Sequence, residues 1–148
     1  MLLDLEDFMF QSKMNMNWNC MPLTNYNAVI MSEATEVLHD AGHIGYVIYG
    51  ADGYHRLCIW PRWDKRRKFY LEISELIDMK DRANPINGKS YIINVHAPAG
   101  YYGLYQVATA TVFKTEWKEK LVELFDLIKE EYYGKPKRET KFINFNRR

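Results

Sequence analysis

Only two cysteines, Cys20 and Cys58, occur in the 148 residues, and neither belongs to a C-x-x-C pair. That excludes a disulfide framework and zinc-finger spacing, and it fits a reducing, intracellular setting. There is no apolar run of about eighteen residues, the length a membrane-spanning helix needs, so no membrane association is expected. The N-terminus, Met1 to Phe10, mixes Leu and Phe with Asp4, Glu6 and Asp7 and so lacks the positive start and continuous apolar stretch of a secretory signal. A soluble, cytoplasmic protein is the expectation. Internal repeats, low-complexity segments and a glycine-rich phosphate fingerprint are absent as well.

Net charge is also nearly absent, but its +1 total conceals strong segregation. Residues 56–68 hold Arg56, Arg62, Lys65, Arg66, Arg67 and Lys68 against the single Asp64, a local charge of +5. Residues 135–148 hold Lys135, Lys137, Arg138, Lys141, Arg147 and Arg148 against Glu139, again +5, which leaves −9 for the rest of the chain. A phosphate backbone responds to local clusters of Lys and Arg more than to total charge, so two basic islands on a neutral chain point to a polyanion. Composition is otherwise that of a globular protein, 47% hydrophobic and 26% charged, with a high aromatic share of 15% that includes eleven Tyr and four Trp. The length suits one domain that buries roughly two thirds of its unfolded surface without a metal or disulfide staple.

Residues 1–27 read as an irregular arm packing through Met14, Met16, Trp18 and Met21. From Ala28 to Ala41 the apolar residues Ile30, Ala34, Val37, Leu38 and Ala41 recur at three and four, with Asn27 placed to cap the start and Gly42 to end the helix. Glu33, Glu36 and Asp40 make its other face acidic. Five strand-like runs follow, Ile44–Tyr49, Tyr54–Trp60, Phe69–Ser74, Ser90–His96 and Tyr101–Phe113, joined by turns at Gly50–Gly53 and Asn84–Gly88. The connections are too short for crossover helices, which predicts a mainly antiparallel sheet. Thr115 is placed to cap a long helix to Tyr133 whose apolar face is Trp117, Leu121, Leu124, Phe125 and Ile128, with Gly134 and Pro136 ending it. The expected fold is α+β: an N-terminal helix, a five-stranded sheet, a C-terminal helix and a basic tail, with 1–134 as one domain and 135–148 as the tail.

Helices on one side of such a sheet leave alternate residues facing the other way. Leu57, Ile59, Phe69, Leu71, Ile73, Tyr91, Ile93 and Val95 have the types of a buried face. Tyr54, Arg56, Cys58, Trp60, Tyr70, Glu72, Ser74, Ile92, Asn94 and His96 fall on the opposite one, which is aromatic, basic and polar. Trp60-Pro61-Arg62-Trp63 then runs directly into Asp64-Lys65-Arg66-Arg67-Lys68. Rings beside cations suit single-stranded nucleic acid, because bases stack on the rings while Lys and Arg hold phosphates.

Catalytic patterns are fragmentary. Asn94-x-His96 on a strand, with Tyr132-Tyr133-Gly134-Lys135 at a helix end, resembles the HUH family of single-strand nicking proteins. That resemblance implies a five-stranded sheet carrying a metal-binding His pair and a helix carrying a Tyr nucleophile. Asn94 stands where that family has a His, so a metal would have one strong ligand fewer. His39-Asp40-Ala41-Gly42-His43 has the spacing of a zinc-protease motif, but Gly42 breaks the helix where the second imidazole must be held. Glu33/Glu36 and Glu123/Asp126 match the magnesium ligands of helical pyrophosphohydrolases in type, although a whole β region separates them. Asp52 and Glu72-Ile73-Ser74 lack the Lys of a PD-(D/E)xK nuclease.

No catalytic residue, metal or cofactor is therefore assigned. The expectation is a non-enzymatic binder of single-stranded or structured RNA or DNA. Arg56, Arg62, Lys65, Arg66, Arg67 and Lys68 would meet phosphates, Trp60 and Trp63 would stack, and Lys137, Arg138 and Lys141 of the tail would extend the track. The alternative is a protein-interaction component, an oligomeric subunit or a docking inhibitor, using the same face as an interface and the tail as a clamp.

Overall fold

The structure, a computed structural model, describes residues 25–50, 56–99, 103–134 and 143–144. Its elements are α1 (Asn25–Asp40), β1 (Tyr46–Tyr49), β2 (Leu57–Trp60), β3 (Phe69–Glu75), β4 (Ser90–Pro98), β5 (Leu104–Phe113), α2 (Trp117–Tyr132) and β6 (Ile143–Asn144). The sheet order is β1-β2-β3-β4-β5-β6. The first five strands form an antiparallel meander, as the short connections required, and the two-residue β6 joins β5 in parallel. The arm expected over 1–27 and the basic tail lie outside the described residues, apart from the start of α1 and β6. The same holds for residues 51–55, the centre of the first turn.

Alternation decides which face each strand buries. Phe69, Leu71, Ile93, Val95 and Ala108 are almost wholly buried, and both helices cover that side of the sheet with Met31, Ala34 and Leu38 from α1 and Leu121, Leu124, Phe125 and Ile128 from α2. The spacing of three and four in each helical set puts the apolar side chains on one stripe. Thr35, buried among them, satisfies its hydroxyl by donating to the Met31 carbonyl at 2.8 Å. Cys58 is buried although its parity is that of the open face. It stands between Ile48 and Tyr70 on the neighbouring strands, and their larger side chains flank its small one.

Two helix starts differ from expectation. α1 begins at Asn25, so Asn27 is within it, and α2 is preceded at its cap position by Glu116, which makes no side-chain capping bond. The end of α1 follows the sequence closely. Gly42 has φ 82°, its N–H donates to the His39 carbonyl at 3.0 Å, and the His43 N–H donates to the Leu38 carbonyl at 2.8 Å. This pair of bonds is a Schellman ending, which needs the left-handed conformation that glycine adopts without strain. It turns the chain so that His43 enters the interior. No helix among the described residues is long and apolar enough to cross a membrane.

Tyr49, fully buried at the end of β1, carries a titration consequence. Burial pushes its phenol up to about 12 from the ordinary 10.0. Below about pH 10 folded and unfolded chains both hold the proton, and between about pH 10 and 12 only the folded chain does, so stability falls as pH rises through that window. At about pH 11.5 the loss is on the order of 2 kcal/mol. Urea denaturation of wild type and Tyr49→Phe at about pH 9 and 11.5 tests this: the variant should lose less over the interval, and equal losses would show that this hydroxyl does not titrate between the two states.

Candidate nucleic-acid interface

The pairing register builds a ring cluster on the face of the sheet away from the helices. Tyr46 lies opposite Trp60 and Cys58 opposite Tyr70. Continuing that register by one residue sets Lys68 beside Trp60, and continuing it the other way sets Arg56 beside Glu72. Tyr46 and Trp60 have ring centroids 4.7 Å apart at an interplanar angle of 57°. The Lys68 ammonium is 5.3 Å from the Trp60 centroid and 5.0 Å from that of Tyr70, so it bridges the two rings. The Arg56 guanidinium lies 4.8 Å over Tyr70 and donates to Glu72 Oε1 at 3.2 Å. Tyr46, Trp60, Lys68 and Tyr70 are all half-buried, leaving ring surface open to solvent.

The loop between β2 and β3 divides its cations. Arg62, Lys65 and Arg66 are exposed, and the Arg66 side chain is 85% accessible. Arg67 instead turns inward, with a side chain only 4% accessible. It shares the parity of Phe69 and Leu71, and its guanidinium lies 5.5 Å over the ring of Tyr132. Asp64 holds it there: Oδ2 accepts from Arg67 Nε at 3.0 Å, while Oδ1 accepts from the Arg66 backbone N–H at 3.2 Å.

Trp60 and Trp63 are not brought together. Trp63 packs on the helix side, its ring 6.1 Å from Phe69 and 6.3 Å from Tyr133. Its indole N–H donates to His43 Nδ1 at 3.2 Å, and His43 Nε2 lies 2.7 Å from Asp126 Oδ1. Because Nδ1 accepts, the imidazole proton belongs on Nε2, which donates to the carboxylate. The Trp63, His43 and Asp126 side chains thus form one polar chain that ties the basic loop to α2. Lys137, Arg138 and Lys141 lie outside the described residues.

Two residues that the sequence did not single out complete the arrangement, Tyr46 and Tyr105. Tyr46 becomes part of the site only through cross-strand pairing. Tyr105 is half-buried, and burial raises its phenol above the ordinary value while the nearby Arg67 charge works against that rise.

The residues of the catalytic patterns are placed as follows. Asn94 Oδ1 accepts from Gln106 Nε2 and Thr109 Oγ1, both at 2.8 Å. Tyr132 is fully buried, its ring 5.8 Å from that of Phe69. His39 faces Asp40 at 3.5 Å, whereas His43 is engaged with Trp63 and Asp126. Among the described residues no group of three or more His, Cys, Asp or Glu side chains is arranged to hold a metal. The chain matches no protein-family model, no curated protein and no solved structure.

Proposed function

We propose that this protein binds single-stranded or structured RNA or DNA on the open face of its sheet, without catalysing a reaction. The observation that carries this reading is the contiguous set Tyr46, Trp60, Lys68 and Tyr70, in which an ammonium stands between two accessible rings. Bases stack on such rings whatever their identity, and Lys68 with the exposed Arg62, Lys65 and Arg66 supplies a positive edge for the phosphates that follow. Glu72, which shares the open face of β3 with Tyr70, is paired with Arg56 and so repels a phosphate less. The acidic stripe of α1 lies on the helix side of the sheet, away from the proposed track. Lys137, Arg138 and Lys141 of the tail would lengthen it.

A protein-interaction component is the second reading. It draws on the same rings together with the exposed Phe113, 61% accessible, and Leu104 at the two ends of β5. Substitution separates the two. Trp60→Ala should weaken a single-strand complex by about 30-fold, the middle of the range of about 1–3 kcal/mol for one stacked base. Fluorescence anisotropy with labelled single-stranded RNA, single-stranded DNA and duplex measures this, with circular dichroism confirming the fold of the variant. Unchanged affinity in the folded variant would remove the ring cluster from the site.

A further inference from the structure

Beyond the flat track, the loop that precedes β3 and the facing ends of β4 and β5 enclose a hollow of about 240 Å³. Its apolar walls include Trp60, Phe69, Pro98 and Tyr105, and its polar side is the consecutive run Arg66, Arg67 and Lys68. Among the described residues no carboxylate lines it. Asp64 touches two of these cations from outside, at 3.0 Å to Arg67 Nε and 3.5 Å to Arg66 Nε, so three positive charges meet one negative. The Arg67 guanidinium is also incompletely satisfied: Nη2 is buried and has no hydrogen-bond partner among the described residues. A buried donor without an acceptor is uncommon, and a guanidinium is shaped to meet two oxygens of one anion.

The shape narrows the anion. The volume falls below the range of about 300–1,000 Å³ typical of sites for drug-sized ligands, which suits a ligand no larger than a mononucleotide. Trp60 forms part of the hollow and of the open face together, so a strand lying on that face has room to place one end at the hollow's mouth. A phosphate monoester carries about −1.5 to −2 charges and a diester only one, so the excess of two cations matches the monoester. We propose that the hollow is a site for a nucleoside phosphate monoester, supplied by the phosphorylated end of a strand on the open face. Arg67, Arg66 and Lys68 hold the phosphate, and the base lies against Trp60 and Pro98. The strand as the source rests on the reading of the open face given above; the phosphate chemistry rests on the hollow alone.

The test is anisotropy at constant salt with single-stranded RNA of about eight nucleotides, carrying a 5′-phosphate, a 3′-phosphate or only hydroxyls and labelled at the opposite end. Adenosine monophosphate, uridine monophosphate and inorganic phosphate are titrated separately by calorimetry. One phosphorylated end should bind about tenfold tighter than the hydroxyl end, as expected for a charge-assisted, forked contact. Arg67→Lys keeps the charge opposite Asp64 but loses the fork, and it should bring the ratio close to one. Should that variant not fold, Lys68→Gln, in a half-exposed position, must lower the ratio. Equal affinity for phosphorylated and hydroxyl strands overturns the site and leaves the open-face reading standing. Saturable mononucleotide binding without any strand binding keeps the monoester site and overturns the strand as its source. Binding of neither overturns both.

Discussion

Raising the ionic strength from about 50 mM to about 200 mM will weaken the single-strand complex by about 50-fold. The estimate follows from counting cations. Arg62, Lys65 and Arg66 are exposed on the adjoining loop and Lys68 is half-exposed beside the rings, so about four phosphates can be neutralised by the face and its loop. Each neutralised phosphate on a single strand contributes about −0.7 to the slope of log affinity against log salt, which gives a slope near −3. The double substitution Lys65→Gln/Arg66→Gln should flatten that slope by about 1.4 and weaken binding similarly for all sequences, because phosphate contacts carry no base information. Anisotropy titrations at four salt concentrations measure the slope. A slope near zero would fit an apolar interface with another protein and would contradict a phosphate track.

Asp64→Ala should destabilise the fold by about 3–5 kcal/mol, the cost of leaving a buried charge without its partner. The Asp64 side chain is 8% accessible and that of Arg67 is 4%, so neither charge is compensated by water. The carboxylate has a second task, accepting the Arg66 backbone N–H and so fixing the turn that carries Lys65 to Lys68. Asp64→Asn keeps an acceptor oxygen for one of these two donors but gives up the charge, and its cost should be smaller. Urea denaturation with the three proteins compares midpoints at constant slope. A loss below about 1 kcal/mol for Asp64→Ala would mean that this pair does not order the loop. The Ala variant should also bind nucleic acid more weakly under conditions where it remains folded, since the basic loop no longer has a fixed course.

Much of the fold was legible because period-two alternation survives burial. Residues 69–73 and 91–97 alternate buried and half-buried as their side-chain types predict. The end of α1 was legible for a local reason, the glycine its Schellman ending requires. The starts of both helices were not, since Asn27 and Thr115 have capping side chains but the backbone makes other choices: Asn27 lies inside α1, and the Glu116 N–H closes a turn onto the Phe113 carbonyl at 3.0 Å. The candidate site was half legible. Trp60 and the exposed cations follow from parity and charge, whereas Tyr46 reaches the site through a strand partner fourteen positions away, Trp60. Arg67 could have been placed inward by extending the alternation of Phe69 and Leu71 back by two residues. Trp63 could not have been, because its direction depends on an acceptor, His43 Nδ1, supplied from the end of α1.

Nucleic acid bound as proposed would lie on the ring cluster of the open sheet face. Ultraviolet crosslinking of the wild-type protein to a uridine-rich single strand at low salt, with mass spectrometry of the adducts, tests it directly. Adducts are expected on the peptides containing Tyr46, Trp60 and Tyr70, lost at high salt and reduced in Trp60→Ala. Adducts confined to the helix side, or no adduct and no binding at low salt, would contradict it.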